Sequence, residues 1–175
     1  MSRLNIGVFS ELESAENAVS ELENMGYDSK SISLIAKDNE SIRKIVKKED
    51  TPGAETGAVL GGLAGLLLGL GVFTIPGVGA LFIAGPLLTS FGLSTVAATT
   101  ISGAVTGALA GGLVGALVDL GIPEVRAKEY EIRINNGSIL LLVPSKLVDG
   151  MDESRGILER NGAEEIDQID SPVNY

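Results

Sequence analysis

Apolar and polar positions divide the chain into two charged flanks and one apolar middle segment. In the first flank, the apolar run Leu4–Phe9 predicts a buried strand. A helix is predicted over Ser10–Met25, because a capping-box spacing opens it and apolar residues then recur every three or four positions. The alternating segment Ser31–Ala36 predicts a second strand, and Asn39–Lys48 a second, short helix. The first flank therefore reads strand, helix, strand, helix.

The second flank repeats this alternation. A helix is predicted over Pro123–Asn135, because proline is common at the first position of a helix. The strongly apolar Ser138–Val143 predicts a strand, Leu147–Arg160 a helix, and Glu164–Ile169 a final strand. On the first of these helices, the apolar side chains expected to face the core are Val125, Tyr130, Ile132 and Ile134.

Two strand–helix–strand units remain when the short helix on either side of the middle segment is set aside. This order predicts an α+β domain of the ferredoxin-like, split βαβ plan, with a four-stranded antiparallel sheet covered by helices on one face. Because each flank supplies only two strands, the two halves must meet. We therefore predict residues 1–50 as the first half of this domain, 51–121 as an inserted glycine-zipper helical hairpin, and 122–175 as the second half.

The middle segment has no charged residue between Glu55 and Asp119. Two helices are predicted in it, over about 54–72 and about 94–118, and each carries glycines at strict steps of four. An interior glycine costs a helix roughly 0.5–1 kcal/mol relative to alanine, so close packing against another backbone is expected to offset that cost. The predicted packing and oligomerisation residues are Gly53, Gly57, Gly61, Gly65, Gly69, Gly103, Gly107, Gly111 and Gly115.

Two locations for this hairpin stay open. Each helix is about long enough to cross the ~30 Å hydrocarbon layer, which takes about 20 residues. If both flanks form one domain, the hairpin crosses an even number of times. A transmembrane hairpin in the cytoplasmic membrane is then predicted, with the Pro- and Gly-interrupted Thr74–Phe91 as its turn and the charged domain in the cytoplasm. The absence of Trp and Tyr from the segment favours the alternative, a soluble cytoplasmic assembly that buries the hairpins between copies.

Composition excludes several kinds of chemistry. The chain has no Cys and no His, which rules out disulfides, Cys or His metal sites, Cys nucleophiles and Ser-His-Asp triads. A net charge of −10 argues against a nucleic-acid partner. Adjacent acids such as Asp152-Glu153 are interpreted as solvated surface. We therefore predict no enzyme activity, no catalytic residue, no cofactor or metal, and no small-molecule substrate.

Two stretches of the chain resemble a known family. The strand Leu4–Phe9, with the acidic helix after it, resembles the start of bacterial general-stress-protein domains of the heat-induced, 17M-like type. The helix Gly121–Glu131 and the stretch Asn136–Val143 resemble relatives that carry a glycine-zipper insert. The helix departs from the pattern of those relatives at Val125, Arg126 and Glu129. The resemblance implies a stress-associated protein.

The sequence thus predicts a non-enzymatic stress-response protein that self-associates through glycine-zipper helices at or in the cytoplasmic membrane. Its expected partners are other copies of itself, as a homo-oligomer, and the lipid bilayer. The alternative is a soluble homo-oligomeric scaffold or shell assembled through the apolar hairpin. A third hypothesis, a small-ligand sensor, rests on fold analogy alone.

Overall fold

The computed structural model describes residues 2–49, 71–75, 77–87, 112–148 and 151–172. The strands in these ranges are β1 (Ser2–Phe9), β2 (Ser33–Lys37), β3 (Gly71–Ile75), β4 (Gly79–Ala84), β5 (Ile139–Pro144), β6 (Leu147–Val148), β7 (Met151–Asp152) and β8 (Glu165–Ser171). The α-helices are α1 (Leu12–Asn24), α2 (Glu40–Glu49), α3 (Gly112–Asp119), α4 (Glu124–Asn135) and α5 (Glu153–Arg160). The protein is mixed α+β with an antiparallel sheet, which confirms the predicted fold class at that level.

Six of these strands form one antiparallel sheet in the order β3-β4-β2-β5-β1-β8. Strand β5 lies between β1 and β2, so that Leu142 is opposite both Ile6 and Ser33. Strand β8 pairs with the other edge of β1, where Asp167 lies opposite Ile6. Strands from the two flanks therefore alternate across the middle of a single sheet.

Strands β3 and β4 form a hairpin at one edge of this sheet, within the segment predicted to be helical and irregular. Ile83 of β4 lies opposite Ile35 of β2. The helix predicted over about 54–72 is wrong for residues 71–72, and the irregular turn predicted over Thr74–Phe91 is wrong where β3 and β4 form. Val, Phe, Thr and Ile favour a pleated strand, and the hairpin pairs an edge of β2 that would otherwise be open.

Gly85 follows β4 where a neighbouring backbone comes too close for a side chain. Its φ is +81°, and a Cβ placed there would lie 2.1 Å from the carbonyl oxygen of Ile32. Only glycine adopts this conformation without strain and leaves room for the carbonyl. The position therefore fixes how the hairpin meets the start of β2.

Helices cover both faces of the sheet, whereas the sequence analysis expects them on one face. The α1–α5 layer, which consists of α1 and α5, packs on one face through residues such as Leu22 and Leu158. The α3–α4 layer, which consists of α3 and α4, packs on the other through Leu117 and Tyr130. The reason lies in β5, where Ile139–Val143 are all buried. A strand that is apolar on both faces needs cover on both.

Helix α5 begins later than predicted. The prediction starts the helix at Leu147, but α5 starts at Glu153, and the residues before it form the short ribbon of β6 and β7. Asp152 is the N-cap, because its carboxylate accepts a hydrogen bond from the backbone N–H of Arg155 at 3.3 Å. This cap fixes where the helix can begin.

Helix α4 forms nearly as predicted, but two of its apolar residues face outward. Tyr130 and Ile134 are buried as expected, together with Ala127. Val125 and Ile132 are exposed, so the prediction that they face the core is wrong. Residues 127, 130 and 134 recur at helical spacing and already fill the stripe that meets the sheet.

Most of the predicted glycine ladder lies outside the described residues. This holds for Gly53, Gly57, Gly61, Gly65, Gly69, Gly103, Gly107 and Gly111. Gly115 lies in α3, and residues 112–118 of the helix predicted over about 94–118 are helical. Within the described ranges, no helix combines the length and the apolar character needed to cross a membrane.

Candidate functional site

A cluster of charged and aromatic side chains joins α4 to the edge strand β8. Arg126 donates from Nε to Asp167 Oδ2 at 2.8 Å and from Nη2 to Glu165 Oε1 at 2.7 Å. The Tyr130 hydroxyl donates to the same oxygen of Asp167, and Arg126 also bonds Glu129. The Arg126 guanidinium lies 5.3 Å from the centre of the Tyr130 ring, a cation–π distance. The sequence predicts Tyr130 only as a core residue and does not predict this cluster.

The environment of this cluster keeps Tyr130 and Arg126 protonated. Burial, and next the Asp167 carboxylate, raises the pKa of Tyr130 well above its ordinary value. Burial by itself lowers the pKa of Arg126, but hydrogen bonds to Asp167 and Glu165 raise it overall. At neutral pH the phenol stays neutral and the guanidinium stays charged. Neither group is therefore tuned for proton transfer near neutral pH.

A cavity of about 210 Å³ opens beside the cluster. It is lined by Ile122, Pro123, Arg126, Tyr130, Asp167, Gln168 and Ile169. Small-molecule pockets commonly measure about 300–1,000 Å³. This cavity is smaller, so only a ligand below the usual drug size fits here. Its arginine and tyrosine already bond carboxylates of the same chain. The cavity therefore gives little support to the ligand-sensor hypothesis.

A second polar cluster surrounds Asp152 at the start of α5. Its carboxylate accepts hydrogen bonds at 2.8 Å from Asn5 Nδ2, Ser145 Oγ, Ser154 Oγ and Gln168 Nε2. Burial by itself raises the pKa of Asp152, but the bonds from Asn5, Ser145 and Ser154 hold it below its ordinary value. Asp152 is thus an ionised anchor that ties α5 to β1 and β8.

The interpretation of Asp152-Glu153 as solvated surface is incomplete for Asp152, which is partly exposed but accepts hydrogen bonds from four side chains. A signal for this cluster is present in the sequence. Asn5 is a polar residue inside the apolar run Leu4–Phe9, and it is fully buried. A buried amide needs hydrogen-bonding partners, but the sequence does not show which distant residues supply them.

The ribbon of β6 and β7 exposes apolar side chains next to this anchor. We define the ribbon surface as Leu147, Val148 and Met151, which are 61%, 40% and 72% exposed. The neighbouring Lys146 Nζ lies 5.3 Å from the centre of the Tyr27 ring. Burial raises the pKa of Tyr27 to about 12, so the phenol stays neutral. Lys146 therefore contacts Tyr27, just after α1, while the apolar side chains of the ribbon are exposed.

Gly115 is the one predicted oligomerisation residue within the described ranges. A Cβ placed on Gly115 would meet no atom of the described residues within 4 Å, so this part of the chain leaves its bare side open. The other ladder glycines lie outside these ranges, and the structure therefore does not test whether the ladders meet. Among the described residues, no group of three or more acidic side chains is arranged to hold a metal ion.

Comparison with known families matches residues 4–79 to the heat induced stress protein YflT domain. The match includes Leu4–Phe9 and confirms the predicted resemblance to heat-induced general stress proteins. It covers less than half of the chain and ends before Gly121, so the second part of the resemblance stays a prediction. No curated protein and no solved structure matches the chain. The match indicates a stress-associated function.

Proposed function

We propose that this chain is a non-enzymatic, stress-associated protein that self-associates through its glycine-striped segments. The family match supports the link to stress. The observation that carries self-association is the side of Gly115 in α3 that no described residue covers. A glycine inside a helix costs roughly 0.5–1 kcal/mol relative to alanine. The backbone of a second copy can pack closely against this bare side, and that contact offsets the cost of the glycine.

The strand order supports the finer proposal of a ferredoxin-like plan. In the sheet, β5 lies between β1 and β2, and β1 lies between β5 and β8. The first unit, β1-α1-β2, therefore has β5 between its two strands, and the second unit, β5-α5-β8, has β1 between its two strands. A split βαβ arrangement requires this order. The hairpin of β3 and β4 is then an addition at the β2 edge.

The contacts of Asp152, Arg126 and Tyr130 support a non-enzymatic role. Asp152 accepts four side-chain hydrogen bonds, and Arg126 and Tyr130 are bonded to carboxylates. These contacts join α4 and α5 to the sheet, which is a structural task. We accordingly propose no cofactor, no small-molecule substrate and no nucleic-acid partner.

The position of the β3–β4 hairpin limits how the apolar segments can meet a bilayer. Residues 50–70 connect α2 to β3, and residues 88–111 connect Leu87 to α3. Ile42 of α2, Leu87 and Leu113 of α3 are all buried in the same domain. Crossing the hydrocarbon layer and returning takes about 40 residues, and neither connection is that long. The geometry favours segments that rest at the membrane surface over the spanning hairpin of the sequence analysis.

The ribbon surface supports a location at the cytoplasmic membrane. β5 ends at Pro144, opposite Leu4, and β6 follows at that end of the sheet. Gly71 pairs with Ile83 near the end of β4, which lies at the same end. Both apolar connections therefore meet the sheet where the ribbon surface is exposed. The alternative proposal is a soluble homo-oligomeric scaffold or shell, and the net charge of −10 favours it over contact with anionic lipid.

Fractionation and light scattering test both proposals. Membranes from cells expressing the full chain are washed with carbonate, and the released protein is analysed by size exclusion with light scattering in the absence of detergent. We expect membrane-associated protein that carbonate releases as a multimer. Retention after carbonate contradicts a surface location, and a lipid-free particle found only in the soluble fraction supports the scaffold. Monomers in every fraction overturn self-association.

A matched pair of variants tests the ladder itself. Gly61→Leu and Gly62→Leu add the same side chain to the same segment, but only Gly61 belongs to the four-residue ladder. We expect roughly tenfold weaker association for Gly61→Leu, about 1.4 kcal/mol. The control Gly62→Leu should associate like the wild type. Equal effects of the two changes contradict packing through the ladder.

A further inference from the structure

The outer side of α4 carries two apolar residues that no described segment of the chain covers. Val125 and Ile132 are 71% and 61% exposed. The buried residues of the helix are Ala127, Tyr130 and Ile134, which lie on its other side. Val and Ile are β-branched and favour a helix less than Ala or Leu does, so helix stability does not explain them either. A contact with a second molecule would bury both side chains.

Two charged residues between them complete a defined surface. Val125, Lys128, Glu129 and Ile132 stand at positions i, i+3, i+4 and i+7, which lie on one side of a helix. We name these four residues the α4 outer face, and all four are exposed. Their order is apolar, positive, negative, apolar. The apolar residues are equidistant from the midpoint between Lys128 and Glu129, and the two charges are opposite in sign.

We infer that the α4 outer face binds the same face of a second copy, with the two helices antiparallel. A two-fold axis through the midpoint places Val125 beside Ile132 of the second copy. The same axis places Lys128 beside Glu129 of the second copy. Each contact occurs twice, as an isologous interface requires. A parallel pairing would bring Lys128 next to Lys128 and Glu129 next to Glu129, which is repulsive.

Neither charged residue is held by a partner that forbids this exchange. Lys128 Nζ pairs with Glu124 at 2.6 Å, and the two side chains are 61% and 65% exposed. Glu129 pairs with Arg126, which keeps Asp167 as a second partner. Exposed ion pairs contribute little to stability, so replacing these contacts by intermolecular ones is nearly neutral. The apolar pairs then provide the net attraction.

The surface is small, and the inference rests on the proposed self-association. Stable interfaces bury about 1,200–2,000 Å², which is more than one short helix face offers. Once the glycine-striped segments join two copies, the α4 contact becomes intramolecular, with an effective concentration on the order of millimolar. The α4 outer face then fixes the relative orientation of neighbouring copies.

Cysteine cross-linking of the full chain tests the pairing, because the chain has no cysteine of its own. One pool carries Val125→Cys and the other Ile132→Cys. The antiparallel pairing brings residues 125 and 132 of different copies together. It keeps the two copies of residue 125 about 10 Å apart along the helix, too far for a disulfide. We expect mixed pools to form at least fivefold more disulfide dimer than either pool alone.

Charge reversals in the same pools give the matched control. Lys128→Glu in both pools sets like charges opposite each other and should reduce the disulfide yield at least fivefold. Lys128→Glu in one pool and Glu129→Lys in the other restores opposite charges and should restore the yield. A lost yield that the complementary pair does not restore overturns the inference.

Light scattering on the same samples separates this inference from the proposed function. Multimers without the 125–132 disulfide mean that another segment of the chain, or lipid, covers the α4 outer face. That result overturns the α4 pairing and leaves the proposed self-association standing. Equal yields from mixed and single pools also overturn the pairing. Monomers overturn both.

Discussion

The two helical layers lie on the same sheet, yet their outer surfaces differ. In the α1–α5 layer, Glu21 accepts hydrogen bonds from Arg160 and Asn161, which ties the two helices together on the outside. No large apolar side chain of α1 or α5 is exposed. In the α3–α4 layer, Val118, Val125 and Ile132 are exposed. The first layer has a surface suited to water, whereas the second keeps apolar groups that a further contact can bury.

The two layers are also anchored by different chemistry. Asp152 holds the α1–α5 layer through neutral donors, two of which, Asn5 and Ser154, are fully buried. Asp167 holds the α3–α4 layer through Arg126, in an ion pair whose side chains are 33% and 28% exposed. The first anchor responds to pH through a lowered pKa, and the second is open to screening by salt. Three pairs of substitutions test how far this difference extends.

The largest effect is expected from truncation of the buried side of each layer. Leu22→Ala in α1 and Leu117→Ala in α3 each remove a fully buried side chain. Each change should lower the free energy of unfolding by about 2–5 kcal/mol, because it leaves a cavity in a packed core. Urea unfolding of both variants measures this. A loss below about 1 kcal/mol for Leu117→Ala alone would mean that the α3–α4 layer is not packed as described.

A smaller effect is expected from Asp152→Asn, which replaces one acceptor oxygen of the anchor by a donor among donors. The free energy of unfolding should fall by about 1–3 kcal/mol at neutral pH. The folded-state pKa of Asp152 is lowered, so its contribution is complete above the unfolded value of about 4 and is lost as pH falls through the folded value. The gap between wild type and variant should therefore shrink as pH falls below about 4.

The control for that change is Asp170→Asn. The Asp170 side chain is 72% exposed and lies 3.7 Å from Arg3 in its ion pair. Stability should change little at any pH, because an exposed ion pair contributes little. If the two variants show the same pH dependence, Asp152 is not the anchor of the α1–α5 layer.

The smallest effect comes from two glycines at the same position of two eight-residue helices. Gly115 is the fourth residue of α3 and Gly156 the fourth of α5. No atom of the described residues lies within 3.4 Å of a Cβ placed on either glycine, so alanine should stabilise each helix by roughly 0.5–1 kcal/mol. Gly156→Ala should leave assembly unchanged, whereas Gly115→Ala should weaken it, measured by light scattering. Unchanged assembly in both variants would count against Gly115 as a packing residue.

Much of the fold could be predicted because local patterns carry it. Leu4–Phe9 and Ser138–Val143 are apolar runs bounded by turn or cap signals, and both are strands in the sheet. The helix predicted over Pro123–Asn135 begins one residue after its proline. In each case neighbouring residues set the hydrophobic period and the cap, so the chain alone contains the information.

The candidate sites could be predicted less well, because their partners are distant in sequence. Asn5 bonds Asp152, and Tyr130 bonds Asp167. No local pattern indicates that these residues meet. Val125 and Ile132 look like core residues in the sequence, and their exposure follows only from which stripe of α4 meets the sheet.

By itself, the sequence determined most of the strands and helices of the flanks, the likeness to a heat-induced stress domain, and the four-residue glycine spacing. The tertiary structure decided that β3 and β4 extend the sheet, that helices cover both of its faces, and that α4 turns two apolar residues outward. The physical reason is that periodicity and capping act over a few residues. Strand pairing and burial depend on contacts between segments far apart in the chain.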